Sequence, residues 1–178
     1  RTGRDWGAGD LSDLEALAEW TRRLGGSVVA TLPLLAAFLG EPYEPSPYSP
    51  ASRLFWNEFY IDLEGVPEFH RCPQAQDLAL SEGVAREVRE LRATREVDYR
   101  RLMALKRRVL EAMARCLFSQ GGPRLEELRR FLKEHPRVED YARFRAVGEG
   151  LAAPWTQWPQ RLREGRIGQG DYDEEAVR

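Results

Sequence analysis

The sequence predicts an α/β front joined to an all-helical back, and three observations carry that reading. A continuous apolar run, Ser27-Val-Val-Ala-Thr-Leu-Pro-Leu34, follows a helical stripe and a Gly-Gly turn. Four prolines (Pro42, Pro45, Pro47, Pro50) then bar any helix or central strand from the next stretch. Beyond Glu64 the apolar residues recur at helical spacing.

Taken in order, Trp6-Gly7-Ala8-Gly9 reads as a flexible turn and Asp10 as a helix N-cap. Leu11, Leu14, Leu17, Ala18, Thr21 and Leu24 form the apolar face of the helix that follows. Gly25-Gly26 ends it by accepting left-handed geometry. The run Ser27–Leu34 is then expected to be a buried strand of a parallel sheet covered on both sides. A second short strand is expected over Glu58–Glu64.

Between these two lies the stretch Glu41–Leu63, which combines the prolines with Tyr43, Tyr48, Phe55, Trp56, Phe59 and Tyr60. A loop so stiffened loses little entropy when something docks on it. Two readings remain open from the residues: rings packed on a core, or a ligand-facing loop at the carboxyl end of a strand.

Behind the loop, Ser81 caps a helix expected over about Glu82–Ala93, and Asp98 caps one expected over about Tyr99–Phe118. In the second, Leu102, Leu105, Val109, Met113, Cys116 and Leu117 make one stripe, with Arg and Lys on the other faces. Gly121-Gly122 closes it and Pro123 opens the next helix. His135-Pro136 breaks that helix, and Val138, Tyr141, Ala142 and Phe144 begin another stripe. Trp155 and Trp158, set between Pro154 and Pro159, are expected as core anchors.

The chain has 178 residues, with 27 basic against 29 acidic, so no basic field draws nucleic acid. Arginines from Arg86 to Arg108 alternate with Glu87, Glu90 and Glu96, the pattern of a solvated, salt-bridged face. No apolar run approaches a membrane span. Cys72 and Cys116 are far apart in the chain, which points to separate reduced thiols and a cytoplasmic setting. No metal site is expected, because His70 and Cys72 lack a second ligand pair. No carboxylate stands in a context that marks a catalytic acid, base or nucleophile, and no cofactor motif is present. Arg1 at the start and the acidic opening turn from Asp173 to Arg178 point to a segment of a longer protein.

Several elements resemble the 4-α-glucanotransferases (amylomaltases or disproportionating enzymes) of glycoside hydrolase family 77. They are Gly9-Asp10-Leu11, Leu32-Pro33-Leu34, Ser46-Pro-Tyr-Ser-Pro-Ala-Ser52 and Asn57-Glu-Phe-Tyr-Ile-Asp-Leu63. Val97-Asp98-Tyr99, Met103-Ala-Leu-Lys106, Asp140-Tyr141-Ala142-Arg143-Phe144 and Pro154-Trp155…Trp158-Pro159 continue the match in order. The resemblance implies the amino-terminal part of a (β/α)8 TIM barrel carrying an all-helical insertion. Residues 1–69 would be partial barrel, 70–165 the insertion, and 166–178 a polar link into a truncated helix.

The implied activity is transfer of α-1,4-glucan segments between maltooligosaccharides, starch or glycogen chains by a retaining double displacement. The catalytic carboxylates of that family belong to later barrel strands, so the segment alone is expected to be inactive and to need the remainder of the barrel as partner. What the resemblance does carry over is substrate holding. Tyr48 matches a tyrosine that stacks on a glucose ring, Ser46 a neighbouring polar contact, and Tyr43 a tyrosine of a secondary glucan groove. The chain departs from many relatives in having Pro42-Tyr43-Glu44-Pro45 for Gly-Tyr-Gly-Asp and Asn57-Glu58 for Asn-Pro. A non-catalytic glucan-binding or protein-interaction module with the same front end is the alternative.

Overall fold

A computed structural model describes residues 4–40 and 42–177. Arg1, Glu41 and Arg178, invoked above, lie outside the described residues. The chain divides into two compact units: Arg1–Leu39 with Glu44–Met113, and Gly40–Tyr43 with Ala114–Arg178.

The first unit opens with α1 (Leu11–Arg23). Asp10 caps it: its carboxylate accepts the Asp13 N–H at 2.9 Å, and Asp13 reaches back to the Asp10 N–H at 3.4 Å. These two bonds satisfy donors that no helical carbonyl can reach. The helix ends at Leu24, and Gly25 takes φ +83° as expected.

Two expectations fail here. Ser27–Leu34 is not a buried strand: Val28 and Leu32 are exposed, and among the described residues no strand forms, only the isolated bridges Leu35↔Trp56 and Phe38↔Glu44. An apolar run becomes a central strand only when neighbours pair its backbone and cover both faces; here only Leu34, at its end, is paired, and Val28 and Leu32 stay in water. Glu58–Glu64 is not a strand either. Asn57, itself buried, accepts the Phe59 N–H on its side chain at 3.0 Å and so winds Glu58–Tyr60 into a 3-10 turn.

Trp6-Gly7-Ala8 is also no flexible turn. All three residues are buried, Asp5 accepts the Gly7 N–H at 3.0 Å, and Arg92 Nε donates to the Asp5 carbonyl at 2.6 Å. Gly7 has φ +125°, and a Cβ there would lie 2.8 Å from Leu91 Cβ. Gly7→Ala should therefore cost about 2–3 kcal/mol through backbone strain and overpacking together, read as a lowered urea midpoint. An unchanged midpoint would show that this segment does not pack on Leu91.

The rest of the first unit is helical: α2 (Pro73–Ala79), α3 (Glu82–Ala93) and most of α4 (Tyr99–Gln120). Ser81 Oγ accepts the Val84 N–H at 3.3 Å, and Asp98 accepts the Arg101 N–H at 3.0 Å, so both anticipated caps form. Leu102, Leu105, Val109 and Met113 of the anticipated α4 stripe are buried, and so are Val84, Val88 and Leu91 of α3. Arg101 joins α4 to Glu87 at 3.1 Å and to Glu90, the solvated ion pairs that the charge pattern implied. Such exposed pairs contribute little to stability.

In the second unit α5 (Pro123–Glu134) begins at the expected proline, and α6 (Arg137–Leu151), α7 (Gln160–Arg163) and α8 (Glu174–Val177) follow. Its core is Val147, Trp158 and Leu162, with Phe144, Ile167 and Tyr172 packed against them. Arg161 holds the Asp171 carboxyl down at about 2, helped by the Gly168 N–H, and so pins the link between α7 and α8. Trp158 is the anchor expected of it, buried with its Nε1–H donating to the Ala153 carbonyl at 2.8 Å. Trp155 is not: it stays 49% exposed, because the 3-10 turn Trp155–Gln157 separates the two rings and only one enters the core.

The reduced-thiol expectation is likewise corrected. Neither cysteine is free; both Cys72 and Cys116 are disulfide-bonded. No described helix is long and apolar enough to cross a membrane.

Candidate functional site

The proline loop is built on a short extended run of backbone. The Glu44 N–H donates to the Phe38 carbonyl at 2.8 Å, and the Ala51 N–H to the Ala36 carbonyl at 2.8 Å. On the far side the Ala36 N–H donates to Phe55 at 2.9 Å, and the Asn57 N–H to Leu34 at 2.9 Å. Both legs of the loop are thus stitched to residues 34–38. Ala36 and Ala37 are buried, and their small side chains leave room for two backbones to approach.

At the tip, Ser46 organises a tight turn. The Ser49 N–H donates to its carbonyl at 3.1 Å, the Tyr48 N–H to its Oγ at 3.3 Å, and its own N–H to the Glu44 carboxylate at 3.1 Å. Tyr48 follows Pro47 on this turn and projects its ring into solvent, 73% exposed. A tyrosine held this way offers an apolar face and a hydroxyl at small entropic cost. Ser46 is half-buried, with its hydroxyl directed to the turn. Tyr43 is half-buried and belongs to the second unit, whereas Ser46 and Tyr48 belong to the first.

The far leg is anchored by a residue the sequence did not single out. Lys106 of α4 is 3% exposed, and its Nζ donates to the carbonyls of Phe59 at 2.6 Å and Ile61 at 2.8 Å. Nζ also stands 5.6 Å from the Phe59 ring centroid. Burial pushes its pKa down to about 8, opposed by the charges of Asp10, Asp62, Asp5 and Asp13. A spacing signal was available: position 106 lies four after Leu102 and three before Val109, on the apolar stripe itself.

A second feature of the same unit is an open groove of about 500 Å³ between α1 and residues 26–34. Leu14, Ala18, Val28 and Leu34 line it with the exposed Trp56 at one side; Tyr48 does not. Among the described residues no group of three or more His, Cys, Asp or Glu is placed to hold a metal ion.

The model of one protein family, described as 4-alpha-glucanotransferase, matches residues 1–174. The chain belongs to glycoside hydrolase family 77. Among 4-alpha-glucanotransferases, that of Haemophilus influenzae is 35% identical over 113 residues, which are 64% of this chain and 16% of that protein. The Mycobacterium tuberculosis H37Rv protein is 33% identical over 171 residues, 92% of this chain and 23% of the relative. That of Chlamydia caviae is 27% identical over 161 residues, covering 89% and 28%. The chain therefore spans less than a third of the length of these family 77 relatives.

Proposed function

We propose that this chain is the sugar-contacting front of a 4-α-glucanotransferase. That enzyme would move α-1,4-glucan segments between maltooligosaccharides, starch or glycogen chains by a retaining double displacement on a (β/α)8 barrel. One observation carries the reading: the ring of Tyr48 stands open to solvent on a turn braced by Pro47 and tied to backbone on both sides. Such a ring would stack on the C–H face of a glucose unit and hold it in a reactive orientation. The Ser46 hydroxyl, which accepts from the Tyr48 N–H, keeps its own O–H to donate to a sugar oxygen. Tyr43 would line a secondary glucan groove. Neither cofactor nor metal has a part in this reading.

The catalytic carboxylates would come from the remainder of the parent barrel. The purified 178-residue chain should release no glucose from maltotriose, and release would refute that assignment. In the full-length parent, Tyr48→Ala should lower kcat/KM on maltooligosaccharides about tenfold, the loss of one stacking contact worth ~1.4 kcal/mol. Unchanged kcat/KM would remove Tyr48 from the site.

A further inference from the structure

The second unit holds a cavity of about 380 Å³ beside its core, the size of a pocket for one small ligand. Its wall is aromatic: Phe144 and Trp158 pack at 5.1 Å, and Trp155 borders the opening with half its surface free. Trp158 cannot turn to meet a ligand, because its indole N–H is spent on the Ala153 carbonyl. Trp155 is the ring left to offer a face.

The polar groups around the opening are few and of both kinds. Asp140 supplies carboxylate acceptors, and Arg143 and Arg163 supply guanidinium donors. Arg143 is already engaged by Glu139, which lies outside the lining, at 2.6 Å and by Asp140 at 3.7 Å, so its charge is met by carboxylates beside it. Asp140 and Arg163 then face the cavity as one acceptor and one donor, a mixed pair that suits hydroxyls, which both donate and accept. An aromatic face, a carboxylate acceptor and guanidinium donors together match a neutral polyol ring: C–H face against indole, hydroxyls to the charged groups.

We infer that the cavity bordered by Trp155, Asp140, Arg143 and Arg163 is a second sugar subsite, taking a terminal glucose unit of a maltooligosaccharide. The choice of glucan rests on the function proposed above; the choice of a sugar rests on the cavity itself. Tyr48 belongs to the other unit and does not line this cavity.

The test follows the five tryptophan indole N–H signals, together with the Tyr48 and Ser49 amides, while maltotriose is titrated into the whole 178-residue chain. The Trp155 indole should shift saturably, and should do so equally in Tyr48→Ala. Arg163→Ala should weaken the effect at least fivefold, and Trp155→Ala should abolish any maltotriose response among the remaining signals of the second unit. Both replaced side chains are exposed, so folding should survive, and an unaltered spectrum elsewhere would confirm it. Shifts confined to the Tyr48 turn would overturn the subsite and leave the proposed function standing. Shifts at Trp155 with a silent Tyr48 turn would uphold the subsite and count against the loop. No response anywhere would remove both. If inorganic phosphate moved the Trp155 indole and maltotriose did not, the pocket would be an anion site and the inference would fail.

Discussion

Phe59→Ala should lower the stability of the first unit by about 3–5 kcal/mol, the range for truncating a buried aromatic ring. The ring is 1% exposed, meets Tyr60 edge-on at 5.2 Å and lies 5.2 Å from Tyr99. Its loss opens a cavity, removes both aromatic pairings and takes away the face beside Lys106 Nζ. The substitution also loosens the turn that follows the far leg of the proline loop, so stability should fall together with the sugar affinity proposed for Tyr48. Urea unfolding reads the first and maltotriose titration the second. A loss below about 1 kcal/mol would mean that Phe59 is not the centre of this core.

The second large effect is a dependence on pH that belongs to Lys106. Its folded pKa of about 8 lies below the ordinary 10.5 because burial disfavours the ammonium. Below pH 8 both the folded and unfolded chains carry the proton, and the fold bears the full cost of the buried charge. Between pH 8 and 10.5 the unfolded chain still binds a proton that the folded chain has released, so stability rises with pH across that window. The whole rise amounts to about 3 kcal/mol. The neutral amine keeps two N–H groups, enough for the carbonyls of Phe59 and Ile61. Tyr60, whose pKa burial and Tyr99 push upward, acts in the opposite sense at the alkaline end, so the comparison is best made below pH 10. In Lys106→Met the rise from pH 8 should vanish. Equal slopes in the two proteins would assign it elsewhere.

The helices were legible because their ends are written in local chemistry. Asp10, Ser81 and Asp98 cap, Gly25 turns the chain, and Pro123 opens a helix, each through contacts within a few residues. The two strands were not, because pairing partners are not local. Ser27–Leu34 has the composition of a buried strand and none of the neighbours, while in Glu58–Tyr60 one capping side chain decides the outcome. The same distinction runs through the site. Tyr48's exposure follows from prolines adjacent in the chain. Lys106 was hidden because a charged residue among arginines reads as surface until the carbonyls 45 and 47 residues away are seen. Trp155 and Trp158 have almost identical sequence surroundings, and only tertiary packing tells the anchor from the open ring.

The stretch 27–33 has a consequence for how the molecule behaves in solution. Its peptide groups make no backbone hydrogen bond among the described residues, and Val28, Leu32 and Trp56 beside it face water. An open polypeptide rim next to greasy side chains is a template for another chain to add on. Concentrated samples should self-associate along it, and Val28→Lys should keep them apart without touching Tyr48.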